Sequence, residues 1–152
     1  MEKEIHHKIA GIIIRNKKLL MCRKYDEPHF IMPGGRILEN ETPEQTLARE
    51  LKEELNVELK SMKFFKTWEA PHFKDKNKIV KMETYFVETS KFENFDSAQK
   101  SSISDIEGEP KATSEINEIA WIDSGYKEKR IKVASINEDY LIPELKKLNL
   151  IN

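Results

Sequence analysis

The segment of this chain that could carry chemistry runs from Gly34 to Val57, with the sequence GGRILENETPEQTLARELKEELNV. It begins with two glycines, and three glutamates closely follow Arg49 near its end. They are Glu50, Glu53 and Glu54. Carboxylate oxygens are ligands that hard divalent cations prefer. The segment is therefore either a solvated acidic helix or a cage for a metal ion.

The helix that must position these glutamates has clear start and stop signals. Thr42 is a candidate N-cap, Pro43 suits the first helical position, and Gln45 completes a capping box. Leucines recur at every fourth position and predict a buried stripe. They are Leu47, Leu51 and Leu55. We expect the helix to end near Asn56, because asparagine tolerates the left-handed conformation that follows many helices.

The angular positions of the glutamates favour a metal site. At about 100° per residue, Glu54 lies about 40° and Glu53 about 60° from Glu50. All three share one sector beside the leucine stripe, where carboxylates are partly desolvated and repel each other. Arg49 can reach Glu53, but one arginine cannot neutralise three carboxylates, whereas a divalent cation can.

The two glycines fit the same interpretation. Gly34 and Gly35 allow a tight loop that brings backbone carbonyls close to an ion, or N–H groups close to a phosphate. The alternative is an ordinary solvated helix, in which Arg49 pairs with Glu53 and Glu54 pairs with a neighbouring lysine. Both interpretations stay open on helix geometry alone.

The same segment resembles the Nudix box, Gx₅Ex₇REUxEExGU, where U is a bulky aliphatic residue. The matching positions are Gly35, Glu41, Arg49, Glu50, Leu51, Glu53, Glu54 and Val57. Asn56 replaces the second glycine of the family pattern. Because asparagine is the usual substitute for glycine after a helix, we expect the turn to survive.

The resemblance implies an α/β fold, an α/β/α sandwich around a mixed β-sheet, in a single domain spanning residues 1–152. The apolar periodicity agrees in element order. The runs KIAGIIIR and KLLMCRK predict a hairpin around Asn16 and Lys17. VELKSMKFFKTW, IVKMETYFVET and INEIAWID predict later strands, and INEDYLIPELKKL predicts a terminal helix kinked or begun near Pro143. Residues 91–114 are polar and unpatterned, which indicates a long surface loop or insertion.

The reaction that the resemblance implies is hydrolysis of a diphosphate bond in a nucleoside diphosphate linked to another moiety, with Mg²⁺ or Mn²⁺. The family pattern assigns roles by position. The implied metal ligands are Glu50, Glu54, Glu53 and the carbonyl of Gly34, with Glu53 also a catalytic carboxylate. Arg49 is expected to orient these carboxylates, and Glu41 to tie the loop to the helix.

Residues outside the box complete the expected site. Family members place the general base either in the box or in a later loop, and Glu115 is the first choice here. Glu118, and Glu107 and Glu109 in the long loop, are the other candidates. Basic residues at the end of the second strand often face the substrate in this family. Arg23 and Lys24 are therefore expected to bind it, although a strand-end surface charge explains both equally well. Gly35, the first glycine of the box, is also expected to bind the substrate.

Composition narrows the partners. The chain has 26 basic and 27 acidic residues and a net charge of −1, so it lacks the basic excess of a protein that coats a nucleic-acid polymer. No apolar run approaches the roughly 18 residues of a membrane span. A single cysteine, Cys22, excludes an internal disulfide. We expect a cytoplasmic protein that binds a small nucleotide and, by analogy with many family members, forms a homodimer.

The substrate is less constrained than the reaction. A short single domain resembles the branch of the family that removes damaged nucleoside triphosphates such as 8-oxo-dGTP, and this is the first expectation. Pro71, 15 residues beyond Asn56, is a weak marker of ADP-ribose hydrolysis, so ADP-ribose or a nucleotide sugar is the alternative. A Nudix domain that only senses a ligand is a third possibility. The intact box carboxylates favour an enzyme.

Overall fold

The computed structural model describes residues 3–72, 74–91 and 116–152. The strands are β1 (Glu4–Ile12), β2 (Ile14–Arg15), β3 (Lys18–Lys24), β4 (Gly34–Arg36), β5 (Leu59–Pro71), β6 (Lys78–Thr89) and β7 (Ile116–Ile122). The helices are α1 (Pro43–Leu55) and α2 (Ile142–Lys147), and a π-helical turn, Asn137–Leu141, leads into α2. Apart from Lys91, the segment predicted as a loop or insertion at 91–114 lies outside the described residues.

The strands form two sheets. One has the order β4-β1-β6-β5 and is mixed, because β1 and β6 run parallel and the other pairs antiparallel. The other is antiparallel, with the order β2-β3-β7. The predicted hairpin joins β2 to β3, and Asn16 and Lys17 both adopt positive φ at its turn. The expected mixed sheet is therefore present and is accompanied by a second, smaller sheet.

Two apolar clusters on opposite faces of the sheets make the layers. The α1 leucines pack with Ile9 and Leu20, among others, on one face. The C-terminal helical segment packs with Ala10 and Met82, among others, on the other face. Ile9 and Ala10 point to different clusters because successive strand residues face opposite sides of a sheet. The predicted α/β/α sandwich is confirmed.

The ends of α1 follow the sequence signals. The Thr42 hydroxyl accepts a hydrogen bond from the Gln45 N–H at 3.2 Å, and the Gln45 side chain accepts one from the Thr42 N–H at 2.9 Å. Asn56 adopts the left-handed conformation with φ 55°, and its N–H donates to the carbonyls of Leu51 and Lys52. The predicted capping box and helix end are both confirmed. None of the helices in the described ranges is long and apolar enough to cross a membrane.

Substitutions at Asn56 test how well asparagine replaces the glycine that the family pattern has at the end of α1. Asn56→Ala should lower the free energy of unfolding by about 1 kcal/mol, because alanine resists the left-handed conformation. Asn56→Gly should match or exceed the wild type, because glycine adopts it freely. Chemical denaturation of the three proteins measures this order. Equal stability of the alanine and glycine variants would contradict it.

Candidate active site

A buried hydrogen bond joins α1 to the glycine loop. The Glu54 carboxylate is fully buried, and its Oε1 accepts the N–H of Gly34 at 2.7 Å. Gly34 has φ 131°, and a Cβ built there would lie 2.0 Å from the Ile9 carbonyl oxygen, so only glycine fits. Burial raises the pKa of Glu54, against the opposing effects of Lys8 and the Gly34 N–H. Among the described residues, Glu54 Oε2 has no hydrogen-bond partner.

The second glycine contacts another box carboxylate. A Cβ on Gly35 would lie 2.4 Å from the carboxylate of Glu50, so this carboxylate rests on the backbone of the loop. Burial raises the pKa of Glu50, and the neighbouring Arg49 guanidinium acts against this. Gly35 is thus needed for the close approach of α1 to β4, and Gly34 for the close approach of β4 to β1.

Arg49 connects three glutamates. Its Nε and Nη2 donate to the two oxygens of Glu41 at 2.8 and 3.0 Å, and Nη1 donates to Glu50 Oε1 at 2.7 Å. Glu53 lies 3.7 Å away in the i,i+4 ion pair that the sequence predicted. Glu41 also accepts from the Leu38 N–H, so it links the loop to the helix. Hydrogen bonding to Arg49 lowers the pKa of Glu41 to about 2.

The carboxylates fit a divalent cation in donor type. Glu54 Oε2 is a buried oxygen without a partner, and the Glu50 carboxylate lies beside the same glycine loop. Within the described ranges, no three His, Cys, Asp or Glu side chains converge into a ready metal-binding group. Arg49 holds Glu50, and Glu53 is 43% exposed. A metal therefore requires these side chains to turn, which the exposure of Glu53 permits.

A cavity of about 230 Å³ opens beside the glycine loop. Gly34, Gly35 and three basic side chains line it at that side, namely Lys8, Lys24 and Arg36. His6, His72 and Asn137 also line it. Asn137 is 2% exposed, and its Oδ1 finds no hydrogen-bond partner in the part of the chain that the structure describes. The cavity therefore combines cationic groups with one buried amide.

The other sequence candidates divide into three groups. Lys24 lines the cavity, whereas Arg23 does not, because its guanidinium pairs with Glu118 at 3.0 Å across β3 and β7. Adjacent strand residues face opposite sides, and a bulge at this point adds to the divergence. Leu51 and Val57 are fully buried in the α1 cluster. Glu115, Glu107 and Glu109 lie outside the described residues.

Two cavity residues, Lys8 and Asn137, were not among the site residues predicted from the sequence. Lys8 is the charged member of the otherwise apolar strand run KIAGIII, and an inward-facing charge in such a run is a usable signal. Asn137 lies in a π-helical turn, an irregularity that is frequent at functional sites but has no sequence signature here. Neither residue belongs to a motif, so only the three-dimensional structure brings them to the box.

The mixed α/β sandwich, with a glutamate-rich helix held on a glycine loop, agrees with the comparison to known families. A family model described as the NUDIX domain matches residues 5–124. The chain belongs to the NUDIX family, and the resemblance found in the box is confirmed.

Individual relatives match shorter stretches. An 8-oxo-dGTP diphosphatase from Proteus vulgaris is 34% identical over 64 residues, which cover 39% of this chain and 57% of that protein. An RNA pyrophosphohydrolase from Actinobacillus succinogenes is 40% identical over 56 residues, which cover 36% of this chain and 28% of that protein. The matches thus span only part of each relative.

A solved structure extends the likeness over the whole fold. A NUDIX hydrolase from Nitrosomonas europaea superposes with a TM-score of 0.64 at 13% identity, covering 95% of this chain and 87% of that chain. At this identity the similarity shows a common fold.

The Arg49–Glu41 contact predicts a pH-dependent stability. The depressed pKa of Glu41 means that its stabilising effect is fully present above about pH 4.5 and is lost as pH falls towards 2. Glu41→Gln should therefore lower the free energy of unfolding at pH 7, with a difference from wild type that shrinks at pH 3. Denaturation at both pH values measures it. The exposed Glu39→Gln is the matched control, and an equal difference at both pH values would contradict the expectation.

Proposed function

We propose that this protein hydrolyses a diphosphate bond in a nucleoside triphosphate, with Mg²⁺ or Mn²⁺ as the metal. One observation carries the proposal: the box carboxylates and the cavity meet at the same glycine loop, Gly34–Gly35. A nucleotide in the cavity would thus present its phosphates to the carboxylates. Membership of the NUDIX family supports this class of reaction.

The residues have separable tasks in this proposal. Glu50, Glu53 and Glu54 would hold the metal, which when bound neutralises diphosphate oxygens and lowers the pKa of a water. Arg49 keeps Glu50 in place through its 2.7 Å hydrogen bond. Lys24 offers a positive charge to the phosphates from the cavity wall. Glu115 stays the predicted general base.

The cavity supports a single nucleotide with a recognised base. A side-chain amide both donates and accepts, which matches the adjacent donor and acceptor on a purine edge. Asn137 offers a buried amide of this kind, and its Oδ1 without a partner favours a ligand with a donor. At about 230 Å³ the cavity is small among ligand pockets, which favours one base over the two bulky moieties of ADP-ribose.

The relatives suggest which nucleotides to test. Similarity to an 8-oxo-dGTP diphosphatase favours an oxidised purine nucleoside triphosphate. Similarity to an RNA pyrophosphohydrolase makes a 5′-triphosphorylated RNA the second class, although the balanced net charge argues against a polymer substrate. ADP-ribose, nucleotide sugars and a ligand sensor without turnover remain the other candidates. A cytoplasmic location and a homodimer stay predictions.

The first experiment is a turnover assay with and without chelator, over 8-oxo-dGTP, unmodified dNTPs, ADP-ribose, a nucleotide sugar and 5′-triphosphorylated RNA. We expect chelator-sensitive release of pyrophosphate from the oxidised purine nucleotide. Glu54→Gln and Glu53→Gln should each lower kcat by about 100-fold or more, because a metal supplies several kcal/mol of charge stabilisation.

Glu44→Gln makes the same chemical change on an exposed part of α1 and should leave turnover intact. Normal turnover in both Glu53→Gln and Glu54→Gln would contradict the metal-site assignment. Nucleotide binding without any product, in wild type and in Glu53→Gln alike, would point to a sensor.

Base recognition gives a separate prediction. Asn137→Leu conserves volume but removes the amide, so kcat/KM for the preferred base should fall by about 10- to 100-fold. Rates on poorer bases should change little, so the preference itself disappears. Steady-state kinetics of the variant with two nucleotides, one carrying the preferred base and one a poorer base, provide an internal control. A uniform loss on both bases would show a structural defect and not a change in specificity.

A further inference from the structure

Lys8 occupies an unusual position for a lysine. It lies in β1, an interior strand of the four-stranded sheet, where it pairs with Arg36 of β4 and Met82 of β6. Its neighbour two residues on, Ala10, points to the same face and is fully buried, as is nearly all of Met82. An apolar residue would therefore suit this position better than a charged one.

The ammonium of Lys8 ends at the wall of the cavity. Its Nζ donates to the Met32 carbonyl at 2.8 Å, and the side chain lines the cavity together with Gly34 and Gly35. Desolvation lowers the pKa of Lys8, and the nearby Glu54 carboxylate acts against this. Lys8 thus lines the cavity and lies close enough to the buried Glu54 to interact with it electrostatically.

The hydrogen-bonding capacity of Lys8 exceeds what the protein uses. An ammonium has three donors, and the Met32 carbonyl takes one. Lys8 is partly buried, and a charge that loses part of its hydration is stable only where other groups replace that hydration. A phosphate oxygen at the Gly34 side of the cavity would supply a further acceptor for these donors and a negative charge in addition to that of Glu54.

We propose that Lys8 is a substrate-binding residue, whose ammonium binds a phosphate oxygen at the Gly34–Gly35 side of the cavity. This inference rests on the proposed function, because it assumes a substrate that carries phosphate. It adds a contact from β1, within the central sheet, to those that Lys24 and Arg36 offer.

A second role for Lys8 makes an opposite prediction. Lys8 could act only by keeping Glu54 ionised, and its loss would then weaken metal binding. If Lys8 binds phosphate directly, its removal weakens pyrophosphate binding even when the metal site is saturated, while metal affinity is unchanged or higher because a nearby positive charge is lost. Pyrophosphate affinity at saturating metal therefore separates the two roles.

The test compares Lys8→Met with Lys66→Met. Methionine suits the apolar strand, and Lys66 on β5 lies outside the cavity, where it pairs with Glu144. Mn²⁺ affinity is measured first by electron paramagnetic resonance. Inorganic pyrophosphate is then titrated calorimetrically at saturating Mg²⁺. This probe carries no nucleobase, so its binding does not depend on base recognition. Thermal melts of each protein report folding, and Lys8→Gln serves as a second variant.

We expect Lys8→Met to bind pyrophosphate at least about 10-fold more weakly, with Mn²⁺ affinity equal to or above wild type and no loss of melting temperature. Lys66→Met should behave as wild type in each measurement. Unchanged pyrophosphate affinity, or a fall confined to Mn²⁺ affinity, would overturn the assignment, as would wild type failing to bind pyrophosphate. If Lys8→Met is unfolded, the same criteria apply to Lys8→Gln.

The outcome is separable from the proposed reaction. If the wild type hydrolyses no nucleotide, but binds pyrophosphate and the Lys8→Met variant does not, the phosphate site stands and the proposed function fails. Should wild type hydrolyse nucleotides while Lys8→Met binds pyrophosphate normally, the reaction stands and the role of Lys8 is wrong.

Discussion

The site depends on one buried contact, the hydrogen bond from the Gly34 N–H to Glu54. It fixes the distance between α1 and β4, and a Cβ at Gly34 would collide with the Ile9 carbonyl. A carboxylate with no exposed surface is stable only if the backbone and nearby charges compensate for its lost hydration. The positions of the glycine loop, α1 and the central strand β1 therefore depend on one another.

Charge balance is the second constraint, and it is local. The net charge of −1 conceals a cluster in which Glu41, Glu50 and Glu53 all lie within 4 Å of Arg49. Removing the arginine would leave partly buried carboxylates to repel each other, which costs more than the loss of a surface ion pair. Arg49 compensates part of the negative charge of these carboxylates, and a bound metal would compete with it for Glu50.

The sequence was sufficient where the determinants are local. The capping box of α1, its end at Asn56 and the hairpin at Asn16 depend on residues a few positions apart, and the sequence predicted all three. Lys8 and Asn137 reach the cavity only through pairings between distant segments, which periodicity cannot specify. Arg23 and Lys24 are adjacent and chemically alike, and the ion pair to Glu118 separates them only in the folded chain.

The candidate site, which comprises the box and the adjoining cavity, draws its groups from different parts of the chain. The carboxylates and glycines come from a contiguous segment closed by α1, whereas Asn137 comes from a π-helical turn near the C-terminal helix. The turn packs by Leu141 into the cluster on the far side of the sheets from α1. Under the proposed function, changes in the turn would alter which base is bound without moving the box carboxylates. The box would then set the class of reaction, and the opposite layer of the sandwich would contribute to the choice of substrate.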